Sequence, residues 1–207
     1  LPAEERRYWQ ETLRARGEVR DSLDFPALAL DDRGEPIPVV NTDPATALFL
    51  ESRTTPETVL GTVAPFVRPY PVGLFVEGLG PVVANDAYAS RSVWEGFRDP
   101  YHSPRVVWGR EVNLLFLGLA HRIAAASDSA GRPLEPALEP YLRELHQALR
   151  HTLDAVNASG LQHAELWSYE IAGGELRPVR YGTGSDVQLW SSTDLAVEFM
   201  LSRLPRP

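Results

Sequence analysis

Tyr101-His102-Ser103-Pro104-Arg105-Val106-Val107-Trp108-Gly109-Arg110-Glu111 runs directly into Val112-Asn113-Leu114-Leu115-Phe116-Leu117-Gly118-Leu119-Ala120. The first half gathers aromatic rings, an imidazole and guanidinium groups. The second half is apolar on more than one side. With Val107 and Ile123 included, the spacing predicts a helix over 105–126 that is hydrophobic nearly all round, and such a helix is buried on both faces. Planar polar groups at the lip of a rigid buried helix suit a pocket for a polar ring, because pockets combine apolar walls with a few placed polar groups.

The segment 135–157 is different. Leu138, Leu142, Leu145, Leu149, Leu153 and Val156 make one stripe, and Arg143, Glu144, Gln147, Arg150, His151 and Asp154 fill the opposite face. This is an outer helix with one buried side. An inner helix with two buried faces followed by an outer helix with one is the logic of an α/α toroid, so the expected fold class is all-α. A plain helical bundle gives the same pattern less regularly. No linker, repeat or low-complexity segment interrupts the chain, and residues 1–207 read as one domain.

The remaining punctuation is local. Residues 3–17 read as a surface helix with acidic residues in its first turn and Arg14, Arg16 and Gly17 at its end. Asp43-Pro44 and Thr55-Pro56 each place a capping residue before a proline, the signature of a helix start. Residues 69–104 are rich in proline and glycine but too apolar for a floppy linker, and a long structured loop of this kind is usually functional. Residues 163–182 read as a β-hairpin around Ala172-Gly173-Gly174. Ser192-Thr193-Asp194 opens a last helix reaching Leu204.

Bulk properties exclude several classes. At 43% hydrophobic and 23% charged, the composition is that of an ordinary globular protein. A net charge of −8 argues against nucleic acid and anionic membranes as partners, since both require a basic face. Cysteine is absent, which removes disulfides, thiolate metal sites and cysteine nucleophiles. No apolar run is long enough to span a bilayer. His102 has no second ligand at helical spacing, so neither a metal nor a cofactor is expected. The chain opens at Leu1 inside a charged helix and reads as a piece of a longer protein. Its compartment is therefore unknown, with periplasmic or secreted placement following if a signal peptide lies upstream.

The 101–111 stretch resembles the Tyr-(Trp/His)-x-Gly-(Pro/Thr)-(Val/Ile)-Trp signature of six-hairpin glycosidases, the (α/α)6-barrel glycoside hydrolases. It is most similar to their bacterial glycogen-debranching-like branch. Asn41-Thr42-Asp43-Pro44 is similar to that group's Ser-Asn-Pro-Gly helix start, and Gly73-Leu74 with Pro81–Asn85 to its Gly-Leu…Asn-Pro loop. Glu165-Leu166-Trp167-Ser168 followed by Gln188-Leu189-Trp190-Ser191 is similar to the region that ends the barrel. The likeness spans roughly residues 37–203. Ser103-Pro104-Arg105 departs from it, replacing the usual glycine with a bulkier, cationic lip.

The resemblance implies about half of an (α/α)6 barrel, the C-terminal half, completed by a missing N-terminal half. It implies an inverting glycoside hydrolase of carbohydrate metabolism acting on α-linked gluco-oligosaccharides. Glycoside hydrolysis needs two carboxyls, roughly 6.5–9.5 Å apart when the reaction inverts. By resemblance Glu165 is the catalytic base, with Glu170 and Asp186 as its nearest rivals. The general acid is expected outside the chain, since Asp43, Glu77 and Glu111 do not match its place. Tyr101, His102, Arg105, Trp108, Trp167, Trp190 and Asn85 are the expected substrate-binding residues. Each of the first four also fits a structural role, Trp108 as core packing and His102 and Arg105 as partners for backbone carbonyls. Two other readings stay open. A polysaccharide lyase would use Tyr101, His102 and Arg105 for proton abstraction, and a non-catalytic carbohydrate-binding helical domain would need no base.

Overall fold

The computed structural model describes residues 3–17, 24–27, 29–51, 53–85, 87–96, 104–182 and 192–204. Tyr101, His102, Asp186 and Trp190 lie outside these described residues, as does the Gln188–Ser191 motif. The elements run α1 (Ala3–Arg16), β1 (Val40–Asn41), α2 (Pro44–Leu50), α3 (Pro56–Val67), β2 (Phe75–Val76), β3 (Gly80–Pro81), β4 (Ala84–Asn85) and α4 (Arg91–Gly96). They continue with β5 (Val107–Trp108), α5 (Gly109–Ala126), a 3-10 turn at Pro136–Leu138, α6 (Glu139–Ala158), β6 (Leu166–Ala172), β7 (Glu175–Arg180) and α7 (Ser192–Arg203).

The expected all-α toroid is not what forms. Helix accounts for 51% of the structure, and among the described residues three small antiparallel sheets complete a mixed α/β architecture. The first sheet joins β1 to β4, the second β2 to β3, and the third is ordered β5-β6-β7. The physical reason lies in short apolar runs that pair as strands instead of extending helices. Val107-Trp108 is β-branched and aromatic, which favours the pleated surface. It pairs with Leu166 and Trp167, so the central helix starts at Gly109 and not at 105. Prolines 69, 71 and 81 deny helix to the segment before it, and its backbone closes into β2–β3 instead. The hairpin at 163–182 lies inside the three-stranded sheet, with β6 and β7 in register from Trp167↔Arg180 to Ala172↔Glu175.

α5 is the hub of the helices. It packs against α2, α6 and α7, while α3 packs against α2 and α6. Its buried set runs from Gly109 to Ala126 and includes Leu115, Phe116, Leu119 and Ile123. α6 buries one stripe, Leu142, Leu145, Leu149 and Val156 among it, against α5 and α3. Burying a leucine or isoleucine fully contributes about 1.5–3 kcal/mol, so this stripe is the main tie between the two long helices. Arg122, itself buried, reaches from α5 to donate to the carbonyls of Leu48 and Glu51 at the end of α2, groups that have no partner inside that helix.

Local starts follow the sequence with one change. Thr55 caps α3 by accepting from the Thr58 amide at 3.3 Å, with Pro56 first in the helix. Asp43 makes no side-chain cap and already has helical backbone angles. The Asn41 side chain holds the entry to α2 instead, its Oδ1 accepting from the Asp43 amide at 2.9 Å. α1 docks through Trp9, whose ring meets Tyr70 and Tyr169 edge to face.

Candidate functional site

The strand-to-helix step at Trp108-Gly109 positions the site. The Gly109 amide donates to the Glu165 carbonyl at 2.9 Å, which stitches the start of α5 to the residue before β6. The fit is tight: a Cβ on Gly109 would lie 2.9 Å from the Ala164 carbonyl oxygen. This contact holds Glu165, 6% exposed, beside the first turn of α5.

A narrow cleft opens there, lined by Arg110, Asn113, His163, Glu165 and Asp194. Its volume is about 10 Å3, at the lower limit of what one water molecule needs. Asn113 donates from Nδ2 to Thr193 Oγ1 at 2.7 Å and to Asp194 Oδ1 at 2.5 Å. The other Asp194 oxygen meets His163 Nδ1 at 3.1 Å. Asn113 therefore ties the first turn of α5 to the first turn of α7. The amino ends of both helices meet at the cleft, and each carries partial positive charge. Arg110 pairs with the buried Glu111 and stands 5.2 Å over the half-buried Trp108 ring. The cleft thus brings two carboxyls, an imidazole, an amide and a guanidinium onto one short stretch of surface.

The expected site residues separate into groups. Glu165 lines the cleft, and Trp108 flanks it through Arg110. Arg105 lies elsewhere. It pairs with the buried Glu5 at 2.8 Å, and Glu5 also accepts from the Tyr169 hydroxyl at 2.7 Å. Burial, with Tyr70 and Glu5 beside it, raises the Tyr169 hydroxyl pKa far above its usual value. Arg105, Tyr169 and Tyr181 line a separate hollow of about 470 Å3 between α1 and β6. Trp167 is 0% exposed and donates from Nε1 to the Leu79 carbonyl at 3.0 Å, so its faces are spent on the core. Asn85 is 0% exposed; its Nδ2 donates to the Pro71 and Gly73 carbonyls and its Oδ1 accepts from the Ala87 amide. It knits the loop that follows α3. Glu170 sits on the strand facing the Arg105 hollow, away from Glu165.

Asn113, His163 and Asp194 were not among the sequence candidates. One signal existed: Asn113 is a polar residue inside an otherwise apolar helical run, and a buried polar side chain must find partners. Among the described residues no group of three His, Asp or Glu side chains is placed to hold a metal ion. Nor is any helix among them long and apolar enough to cross a membrane.

Comparison with protein-family models, with curated proteins and with solved structures finds no match to this chain.

Proposed function

We propose that this chain carries one wall of the active site of an inverting glycoside hydrolase acting on α-linked gluco-oligosaccharides, with Glu165 as general base. The observation that carries the reading is the cleft itself. A nearly buried carboxylate faces a water-sized space beside a second carboxyl and a guanidinium. In the reaction, Glu165 takes a proton from a water as its oxygen attacks the anomeric carbon. The glycosidic C–O bond breaks on the opposite face, and the leaving oxygen takes a proton from the general acid. Asp194 is held by Asn113 and His163, an arrangement suited to orienting groups around the water. The substrate class comes from the likeness of the 101–111 stretch and of Glu165-Leu166-Trp167-Ser168 to six-hairpin glycosidases; it is a likeness of these sequence segments, since the fold is mixed α/β and not the (α/α)6 barrel of that group.

The general acid is assigned to a partner segment outside this chain. Phe49 and Leu50 on α2 and Leu195 and Phe199 on α7 are exposed. These side chains offer places where that segment would pack. Trp108 and Arg110 would contact substrate at the lip.

The test is turnover of α-1,4- and α-1,6-linked gluco-oligosaccharides by the intact protein and its Glu165→Gln variant. The variant is expected to lose about two to four orders of magnitude in kcat, the range for removal of a general base. Unchanged turnover would refute the assignment. Products absorbing in the ultraviolet would mark a lyase instead, because elimination leaves a C=C bond that hydrolysis does not.

A further inference from the structure

Helices α5, α6 and α7 meet around a cavity of about 210 Å3. Phe116 of α5, Leu153 and Val156 of α6, and Val197 and Leu201 of α7 form its apolar wall. An apolar cavity of about 150 Å3 accepts benzene, so this one has room for an aromatic ring with a short arm. Apolar walls with a few convergent polar groups are the ordinary make-up of a small-molecule pocket.

The polar groups favour a cation. Asp194 and Glu198 both line the cavity from α7. Their four-residue spacing puts two carboxylates on one helix face, which is unfavourable until a positive charge lies beside them. Among the described residues no lysine or arginine lines the cavity. Its imidazole, His163, is engaged with Asp194 at 3.1 Å. Gln162 adds an acceptor, for its Oε1 is buried with no protein partner among the described residues. A buried acceptor left unmatched is costly, so a donor belongs there. A hydroxyl would satisfy Gln162 but not the two carboxylates. An ammonium answers both, with three N–H donors and a positive charge. Phe116, Val156 and Val197 are buried, whereas Glu198 is exposed and marks the mouth. A ligand with an apolar body and a charged tip can therefore lie ring inward and keep its charge next to water, avoiding the cost of burying it.

We propose that this cavity binds a small arylalkylamine as its ammonium ion. The ring lies against Phe116, Leu153 and Val156. The ammonium donates to Gln162 Oε1 and pairs with the carboxylates of α7. The proposal is independent of the hydrolase reading, since nothing in it requires Glu165 to act as a base.

The probe is 2-phenylethylamine, which is charged at neutral pH as alkylamines are. Its analogue 2-phenylethanol has nearly the same shape without the charge, and methylamine has the charge without the ring. Calorimetric titration of the intact protein is expected to show one site per chain for the amine, with 2-phenylethanol about tenfold weaker or more. Gln162→Leu removes the unmatched acceptor and keeps a side chain of similar size, so the fold is expected to tolerate it. It is expected to weaken the amine about tenfold, the effect of one hydrogen bond to a charged group. Glu198→Gln, at the exposed mouth, is expected to weaken it about threefold, and less at high salt. With labelled methyl groups, the amine is expected to shift the Leu153, Val156 and Val197 resonances, and methylamine to leave them in place. Equal affinity for 2-phenylethanol and the amine would overturn the proposal. So would an amine affinity unchanged in both variants, amine binding that leaves those three methyl resonances unmoved, or no binding at millimolar amine.

Discussion

Replacing Gly118 by alanine sets helix propensity against helix packing, and the structure decides which wins. Gly118 lies on α5 where that helix meets α2. An added Cβ would stand 2.9 Å from Leu48 Cγ, 3.1 Å from the Phe49 amide nitrogen and 3.2 Å from the Leu48 carbonyl carbon. Two of those three atoms are backbone, and Leu48 is 2% exposed, so no flexible side chain can swing away. Alanine in a helix interior is favoured over glycine by about 1 kcal/mol. Overpacking a well-filled core costs about 1–3 kcal/mol, and helix-to-helix backbone contact belongs at the upper end, about 3. The net effect is a destabilisation of about 2 kcal/mol. Gly61 on α3 supplies the control, because it is exposed and a Cβ there meets nothing within 4 Å. Gly61→Ala is expected to stabilise by about 1 kcal/mol through propensity alone. The two variants should therefore differ by about 3 kcal/mol in urea unfolding followed by tryptophan fluorescence, with unchanged m-values. A Gly118→Ala protein as stable as Gly61→Ala would refute the close α2–α5 contact.

Three further outcomes follow from buried and half-buried side chains elsewhere in the fold. Asn85→Asp keeps the acceptor for the Ala87 amide but turns a carboxylate toward the Pro71 and Gly73 carbonyls, and is expected to cost about 3–5 kcal/mol by denaturant titration. Trp167→Phe strands the Leu79 carbonyl and leaves a void, so it should cost about 2–3 kcal/mol; lost sugar affinity with unchanged stability would instead make Trp167 a ligand contact. The pKa of His151 is lowered, first by burial, as it stacks on Phe75 at 3.9 Å between ring centres. The unfolded chain then binds the proton first as pH falls below about 6.5, and stability is lost from there down through the lower folded value. His146 is lowered in the same direction by burial, so His151→Gln should weaken this acid loss without abolishing it, as thermal melts across pH 7.5–5 (about that range) would show.

Some elements were legible because their signals are local. The leucine stripe from Leu142 to Val156 names α6, Thr55-Pro56 names the start of α3, and Gly173-Gly174 names the β6–β7 turn. The sheets were not legible, because strands of two residues carry no periodicity. Val107-Trp108 joined to an apolar helix reads as more helix until Leu166-Trp167 arrives to pair with it. Only one inner and outer pair, α5 and α6, was visible, and a toroid was extrapolated from it. At the candidate site, Glu165 is singled out by the likeness of its surroundings in sequence. Asn113 and Asp194 are not, since their hydrogen bond joins residues 81 positions apart. Asn85, Arg105 and Trp167 looked like ligand contacts because polar and aromatic residues in loops serve both binding and architecture. Only their partners separate the two, and those partners are Gly73, Glu5 and Leu79.

The most direct test of Glu165 as a base acting on water is the anomeric configuration of the first product. Proton NMR of the intact protein acting on an α-linked gluco-oligosaccharide should show the β-anomer released first, with the signal lost in Glu165→Gln. Release of the α-anomer, or β-anomer release that persists in Glu165→Gln, would contradict the account.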